Sequence, residues 1–289
     1  MAKSMTLKLF QSRFPDDDTC LQHLFEVRYG KDIVCPKCGE IGAFHRLKKM
    51  PAYTCNCGHH IHPMAGTPFQ STRTPLTTWF HVMFLFTSSR NGVSAKEVQR
   101  QTGVTYKTAW RMCNEIRKYM GWVDGDAPLG GDTPDSKPVE IDKMFHGGYD
   151  KQGKDDKAIV LGMVERDGQI ITRVIPKPNS FHVTSRVQDH VLEGSTIYSD
   201  EARAYWPLKE FGYKHEAVNH SKKEYARGVV HTNSIEAFWS NFKRSVSGTH
   251  VWVSKKHLQT YLREFEYRYN LRKHPHLMLD ALLLAFPKV

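Results

Sequence analysis

The chain has 289 residues, a formal net charge of +11 and 40% hydrophobic residues, with fifteen Phe, twelve Tyr and six Trp. That apolar content supports a packed core and excludes a disordered chain, while the cationic excess points to a polyanionic partner and says nothing about fold. No apolar run reaches the length of a membrane span, and MAKSMTLKLFQSRF lacks the apolar stretch and cleavage site of a secretory signal. No membrane association is expected, and a cytoplasmic, nucleoid-associated protein is.

Residues 15–30 open on Pro15 and three aspartates, then place Cys20, Leu21, Leu24 and Phe25 at helical spacing. This predicts a short helix with an acidic start, ending near Gly30, with Cys20 as a small core residue. Four of the six cysteines fall within residues 35–57, which suits a metal in a reducing compartment better than a disulfide framework. Cys35-Pro-Lys-Cys38-Gly39 and Cys55-Asn-Cys57-Gly58 are two thiol pairs, each followed by a glycine turn. They predict a zinc ribbon with one Zn²⁺ on Cys35, Cys38, Cys55 and Cys57. The second pair is closer than usual, so His59, His60 or His62 could replace one thiolate. Four unligated thiols fit poorly, because so short and polar a segment has little core to hold them.

In residues 66–92, Pro75 starts a buried helix bearing Trp79, Phe80, Met83, Phe84 and Phe86. Ser94 caps the next helix, with Val98 inward. Gly103 makes a turn, and Thr105 caps another helix with Ala109, Met112, Cys113 and Ile116 inward. The pair matches helix-turn-helix, with Tyr106, Lys107 and Arg111 offered to a DNA groove. Many such pairs are only scaffolding, but beside a zinc ribbon on a basic chain the pattern favours DNA. Residues 121–137, rich in Gly, Pro and Asp, read as a linker.

Strands follow. Residues 138–142 alternate, with Val139 and Ile141 on one face and Glu140 and Asp142 on the other. Residues 157–165 and 169–175 form strands joined by an Asp167-Gly168 turn. Ser180 caps a helix with Val183, Val187 and Val191. Residues 196–199 make a strand that delivers Asp200, and 213–219 another. A basic, mobile-looking stretch with Lys222, Lys223 and Arg227 precedes a helix over 231–244. On it Ile235, Phe238, Trp239 and Phe242 form an apolar stripe, with Asn233, Glu236, Ser240 and Lys243 beside it. Glu236 and Lys243 lie two turns apart on one face. By itself this helix start reads as an Asn233 cap with Glu236 as its capping-box partner. Ser254 then caps a long helix with Leu258, Leu262, Phe265 and Tyr269 inward and Arg263, Arg268 and Arg272 outward.

Carboxylates on the first strand, after the fourth strand and on a later helix follow the order of an RNase H-like nucleotidyl-transfer core. Hard Mg²⁺ or Mn²⁺ ions want such oxygen ligands, and two of them can clamp the attacking and leaving oxygens of a phosphodiester displacement. The expected fold class is therefore α/β. Residues 1–65 carry an N-terminal helix and zinc ribbon, 66–120 the helix-turn-helix region, 121–137 a linker and 138–289 the RNase H-like catalytic domain.

CPKCG with the second cysteine pair, AGTPF and PLTTWF, EIDKMFHGG, IYSDEARAY, HTNSIEAFWSNFKR and YLREFEYRYNLR together resemble the IS1595-family, or ISXO2-like, transposases along nearly the whole chain. The resemblance implies a catalytic domain of the DDE type, with Asp142, Asp200 and Glu236 as the metal-binding triad. It implies that Lys243, with Arg244 beside it, touches DNA near the reacting phosphate. It further implies binding to the element's terminal inverted repeats, strand cleavage, and joining of the freed 3′-hydroxyls to target double-stranded DNA. Synapsis of two ends implies a homo-oligomer when active. The family's usual Asp-Glu at the first carboxylate is Asp142-Lys143 here; only the aspartate is a proposed ligand, so activity is expected to survive. Two other readings are a DNA-binding regulator with an inert C-terminal domain and an RNase H-like nuclease that cuts without joining.

Overall fold

The computed structural model describes residues 5–148 and 156–286. It divides into two compact units, one from residues up to Tyr119 plus those from His274 onward, the other from Met120 to Lys273.

In the first unit, α1 (Leu7–Arg13) leads into α2 (Asp17–Tyr29). The Asp16 carboxylate accepts the Thr19 N–H at 2.7 Å, Asp17 and Asp18 fill the first turn, and Gly30 ends the helix at φ 77°. Cys20, Leu21 and Leu24 are buried, as their spacing predicts. β1 (Phe44–Arg46), β2 (Tyr53–Cys55) and β3 (His60–Ile61) form an antiparallel sheet in that order. Phe25 stacks on Tyr53 at 4.2 Å and ties α2 to this sheet. α3 (Leu76–Ser88) follows Pro75, and its Thr77 N–H is accepted by the Asp17 carboxylate at 2.9 Å. Its Trp79, Phe80, Met83 and Phe86 are fully buried. α4 (Ala95–Thr102) and α5 (Tyr106–Asp124) are joined through Gly103 at φ 73°. Ser94 and Thr105 each accept an N–H three residues on.

The segment expected as a linker, 121–137, is not one. It is helical through Asp124, and Leu129 is buried in the core of the second unit, bonded through its backbone to His190 and Leu192. An apolar side chain with paired backbone groups on both sides has no freedom to swing.

In the second unit, β4 (Val139–His146), β5 (Ala158–Glu165) and β6 (Ile170–Ile175) form an antiparallel meander. α6 (Ser180–His190) comes next; its cap is Asn179, one residue before the expected Ser180, because the Asn179 carboxamide accepts the His182 N–H at 3.1 Å. β7 (Thr196–Ser199) and β8 (Lys214–Ala217) complete a five-stranded sheet in the order β6-β5-β4-β7-β8, with β7 parallel to both neighbours. Between them runs a 3-10 helix, Arg203–Phe211, with Pro207 inside it. The basic stretch expected to look mobile holds a short 3-10 turn and a hairpin, β9 (Ala226–Arg227) and β10 (Val230–His231). α7 (Asn233–Ser245) then continues into a π-turn, Val246–His250, before α8 (Lys255–Asn270).

The sheet is covered on both faces. Val139, Ile141, Leu161 and Met163 pack with Val183 and Val187 of α6 and with Tyr205 and Leu208. On the other face Met144, Val160 and Val164 meet Ile235, Phe238, Trp239 and Phe242 of α7 and Leu258, Leu262 and Phe265 of α8. Burial on both sides is why residues 158–164 read as a continuous apolar run. Arg268, expected on the outer face of α8, instead pairs with the buried Glu264 at 2.6 Å, since a carboxylate out of water needs a partner. Arg272 lies over the Tyr269 ring at 3.9 Å, and Arg263 is exposed.

The chain then returns to the first unit as α9 (Met278–Ala285), followed by Phe286 against Phe69 and Trp79. The compact unit that holds the large sheet thus ends at Lys273, short of the expected 289. Among the described residues no helix is long and apolar enough to cross a membrane.

Candidate active site

Of the residues chosen from the sequence, the four cysteines come together in the first unit, and the three carboxylates lie on neighbouring elements of the second. In the first unit the Sγ atoms of Cys35, Cys38, Cys55 and Cys57 lie within 4.8 Å of one another. Cys35 and Cys57 are 3.7 Å apart, and Cys38 and Cys55 are 3.5 Å apart. Thiolates around one zinc at ~2.3 Å, on the corners of a tetrahedron, stand roughly 3.8 Å apart. The closely spaced second pair is compatible with this because β2 ends at Cys55 and a turn closed by Gly58 N–H to the Cys55 carbonyl, at 2.9 Å, brings Cys57 back. Gly58 has φ 82°, a conformation that disfavours a side chain. None of His59, His60 and His62 belongs to the group, so the four thiols need no histidine substitute.

The carboxylates belong to the second unit. Glu140 pairs with Tyr198 across the parallel β4–β7 ladder. Continued two residues, that register sets Asp142 level with Asp200, just past the end of β7. On the other side Asp142 pairs with Gly162 of β5. A Cβ on Gly162 would stand 2.4 Å from Trp239 and 2.7 Å from Ile235, so the missing side chain is what lets α7 approach the sheet here. Glu236 occupies the first turn of α7.

Burial pushes the Asp142 carboxyl up to about 6, and the negative charges of Asp200 and Glu236 push the same way. The Lys143 N–H and ammonium pull in the opposite direction. Unlike the four thiols, the three carboxylates do not fall within 4.8 Å of one another. The Asp200 carboxylate accepts the Ala202 N–H at 2.9 Å. Glu236, with its side chain 46% exposed, accepts the Thr232 hydroxyl at 2.7 Å. The cap of α7 is thus Thr232, not Asn233, and its hydroxyl is turned to the Glu236 carboxylate.

The open N–H groups of α7 are met from the sheet. The buried Glu140 carboxylate accepts Ser234 N–H at 2.7 Å, Ile235 N–H at 3.2 Å and the Ser234 hydroxyl at 3.0 Å. Arg166 Nε donates to it at 2.7 Å, and His231 Nδ1 stands 3.3 Å away. A negative charge at a helix start is favoured by the helix dipole and by direct N–H bonds together. One strand thus carries both Asp142 and the anchor for the helix that carries Glu236.

Three further residues at this site were not singled out by spacing. His220 Nε2 is 3.8 Å from the Glu236 carboxylate, is buried, and makes no hydrogen bond among the described residues. Glu201 accepts the N–H groups of His220 and Ser221, each at 3.0 Å, and the Ser221 hydroxyl. These bonds, the Ser221 hydroxyl foremost, hold its carboxyl at about 2. Lys143 Nζ lies 4.3 Å from the ring centre of the fully buried Tyr205. Burial lowers the Lys143 ammonium, and the Asp200 and Asp142 charges oppose that. The sequence marked only Lys143, as the residue after Asp142, and Glu140, as the neighbour of Asp142 on the same strand face.

Lys243 and Arg244 are exposed in the last turn of α7. Tyr106, Lys107 and Arg111 are exposed at the start of α5 in the first unit, with the Arg111 guanidinium 5.2 Å from the Trp79 ring centre.

Residues 124–270 match the ISXO2-like transposase domain, and residues 15–60 match the transposase zinc-ribbon domain. The chain is 28% identical over 278 residues to an uncharacterized protein in transposable element ISH50 of Halobacterium salinarum, covering 87% of this chain and 90% of that one. It is 29% identical over 102 residues to an uncharacterized transposase-like protein of Haemophilus influenzae, covering 35% of this chain and 81% of that one. No solved structure matches the chain. With its four-cysteine zinc ribbon ahead of a domain matched from residue 124 to 270, the chain belongs to the ISXO2-like transposase family of insertion-sequence elements.

Proposed function

We propose that this protein binds the terminal inverted repeats of its own element, cleaves the strand ends and joins them to target DNA. The observation that carries this reading is the placement of Asp142 level with Asp200 on adjacent parallel strands, with Glu236 in the first turn of a helix that Glu140 anchors to the strand of Asp142. The strand order β6-β5-β4-β7-β8, with an antiparallel first hairpin and a parallel second half, supports an RNase H-like core.

The donor set fits hard divalent cations, because it is carboxylate oxygen and includes no thiol. Asp142, Asp200 and Glu236 would hold Mg²⁺ or Mn²⁺, a pair of which supplies polarisation of the attacking and leaving oxygens in an in-line displacement. Glu140, through Ser234 and Ile235, fixes how far Glu236 stands from Asp142. Lys243 and Arg244 hold DNA phosphates on the exposed side of the same helix. In the first step water displaces the 3′-oxygen at an element end, and the P–O bond there breaks to leave a 3′-hydroxyl. In the second step that hydroxyl forms a P–O bond to target DNA as a target 3′-oxygen leaves. In the first unit, α4 and α5 act as a helix-turn-helix that reads duplex DNA through Tyr106, Lys107 and Arg111. Cys35, Cys38, Cys55 and Cys57 hold a structural zinc. Handling two ends at once calls for at least two copies.

The test uses the full-length protein, Mg²⁺ or Mn²⁺, and a plasmid carrying the DNA that flanks the gene, with wild type compared to Asp200→Asn. Nicking and end joining by wild type alone are expected. Nicking without joining would indicate a nuclease; binding without cleavage would indicate a regulator.

A further inference from the structure

The end of α7 carries a feature that the carboxylate site does not use. After the π-turn, Val251 has φ 64° and ψ −50°, and Trp252 N–H reaches back to the His250 carbonyl at 2.7 Å. This is a γ-turn of the strained hand, held here by a β-branched residue. Its two side chains point outward: Val251 is 84% exposed and Trp252 67%. Both feet of the turn are fixed. Val246 and Val253 are buried in the core under α7 and α8, and His146 Nε2–H donates to the Val253 carbonyl at 3.0 Å. His146 lies four residues beyond Asp142 on β4. The surround is cationic, with exposed Lys243 and Arg244 before the turn and Lys255 and Lys256 after it, Lys255 standing 3.7 Å from Asp156.

We infer that Val251 and Trp252 form an apolar wedge that enters a base step of the DNA held at this site. The inference rests on the transposase reading above. Charge complementarity selects the occupant, because the basic residues on both sides suit phosphates and exposed apolar tips between them suit the stacked bases those phosphates flank. Strain in a β-branched residue, clamped at both feet, keeps the tip out without a folding step on binding. His146, on the same strand as Asp142, ties the foot of the wedge to the strand that carries the site.

The test uses the full chain carrying Asp200→Asn, so that the DNA stays intact, and short duplexes from the DNA flanking the gene with 2-aminopurine at successive positions. One position near the nick mapped with the wild-type protein is expected to brighten as its stacking is lost. Trp252→Ala should remove that signal and weaken binding about tenfold. The slope of affinity against salt should not change, since no phosphate partner is lost. Trp252→Phe should keep part of the signal. Val251→Gly should raise the melting temperature by relieving the turn, yet blunt the signal. The same brightening in Trp252→Ala overturns the wedge. Failure of the wild-type protein to cut any flanking DNA overturns the transposase reading instead, and the wedge falls with it.

Discussion

Glu140 accepts the backbone N–H of Ser234 at 2.7 Å, joining the strand that bears Asp142 to the first turn of the helix that bears Glu236. The carboxylate has no exposed surface, and Arg166 supplies its counter-charge. Removing one partner of such a group leaves the other buried and unpaired. Glu140→Ala is expected to destabilise the protein by about 3–5 kcal/mol in chemical unfolding. Glu140→Gln, which can still accept from Ser234, should lose less stability yet still lower nicking. Unchanged unfolding in Glu140→Ala would mean that α7 is held by its apolar face alone.

Gly162 sets the distance between α7 and the sheet beside Asp142. Gly162→Ala should cost about 1–3 kcal/mol of stability, because the new methyl group meets the Trp239 ring. Nicking should fall further than stability does, since the shift moves Glu236 as well. Adding Trp239→Phe should recover part of both losses, and a double-mutant cycle with no coupling would rule out this contact as the cause.

The four thiols predict one equivalent of zinc in metal analysis of the folded protein. Cys57→Ala should abolish it and expose the backbone amides of β1, β2 and β3 to hydrogen exchange, because so small a sheet has little core without its metal. A folded, zinc-free wild-type sample would remove this centre.

Asp142, held up at about 6 from an ordinary 3.8, makes stability depend on pH. Between these values the folded protein binds a proton that the unfolded chain has released, so stability falls as pH rises from about 4 to about 6. Above that window, without added Mg²⁺, the ionised group opposes folding by up to about 3 kcal/mol. Asp124 and Glu266 are also pushed up, each to about 7, chiefly by burial, and they act in the same direction. The difference between variants isolates Asp142. Asp142→Asn should melt higher than wild type at pH near 8, and the gap should close near pH 4. A gap independent of pH would mean that burial does not raise the Asp142 carboxyl.

Local patterns determined much of this protein from the sequence alone. The acidic start of α2, the turn at Gly103, the Asp167-Gly168 hairpin and the apolar stripe of α7 are each written in a few neighbouring residues, because caps, turns and periodicity act over one or two helical turns or strand pairs. The cysteines that form the metal centre were legible for the same reason. Only the tertiary structure decided what depends on residues far apart in the chain. Glu140 meets Ser234 across 94 positions and Glu266 meets Thr172 across 94, and neither pairing leaves a local trace. Leu129 turned an expected linker into part of a core, and Arg268 turned inward to a buried carboxylate, because burial and charge pairing are settled by the whole fold. Chain order suggested the three carboxylates; their placement on neighbouring elements arises from the parallel register of β4 and β7 and from a helix pinned at its first turn.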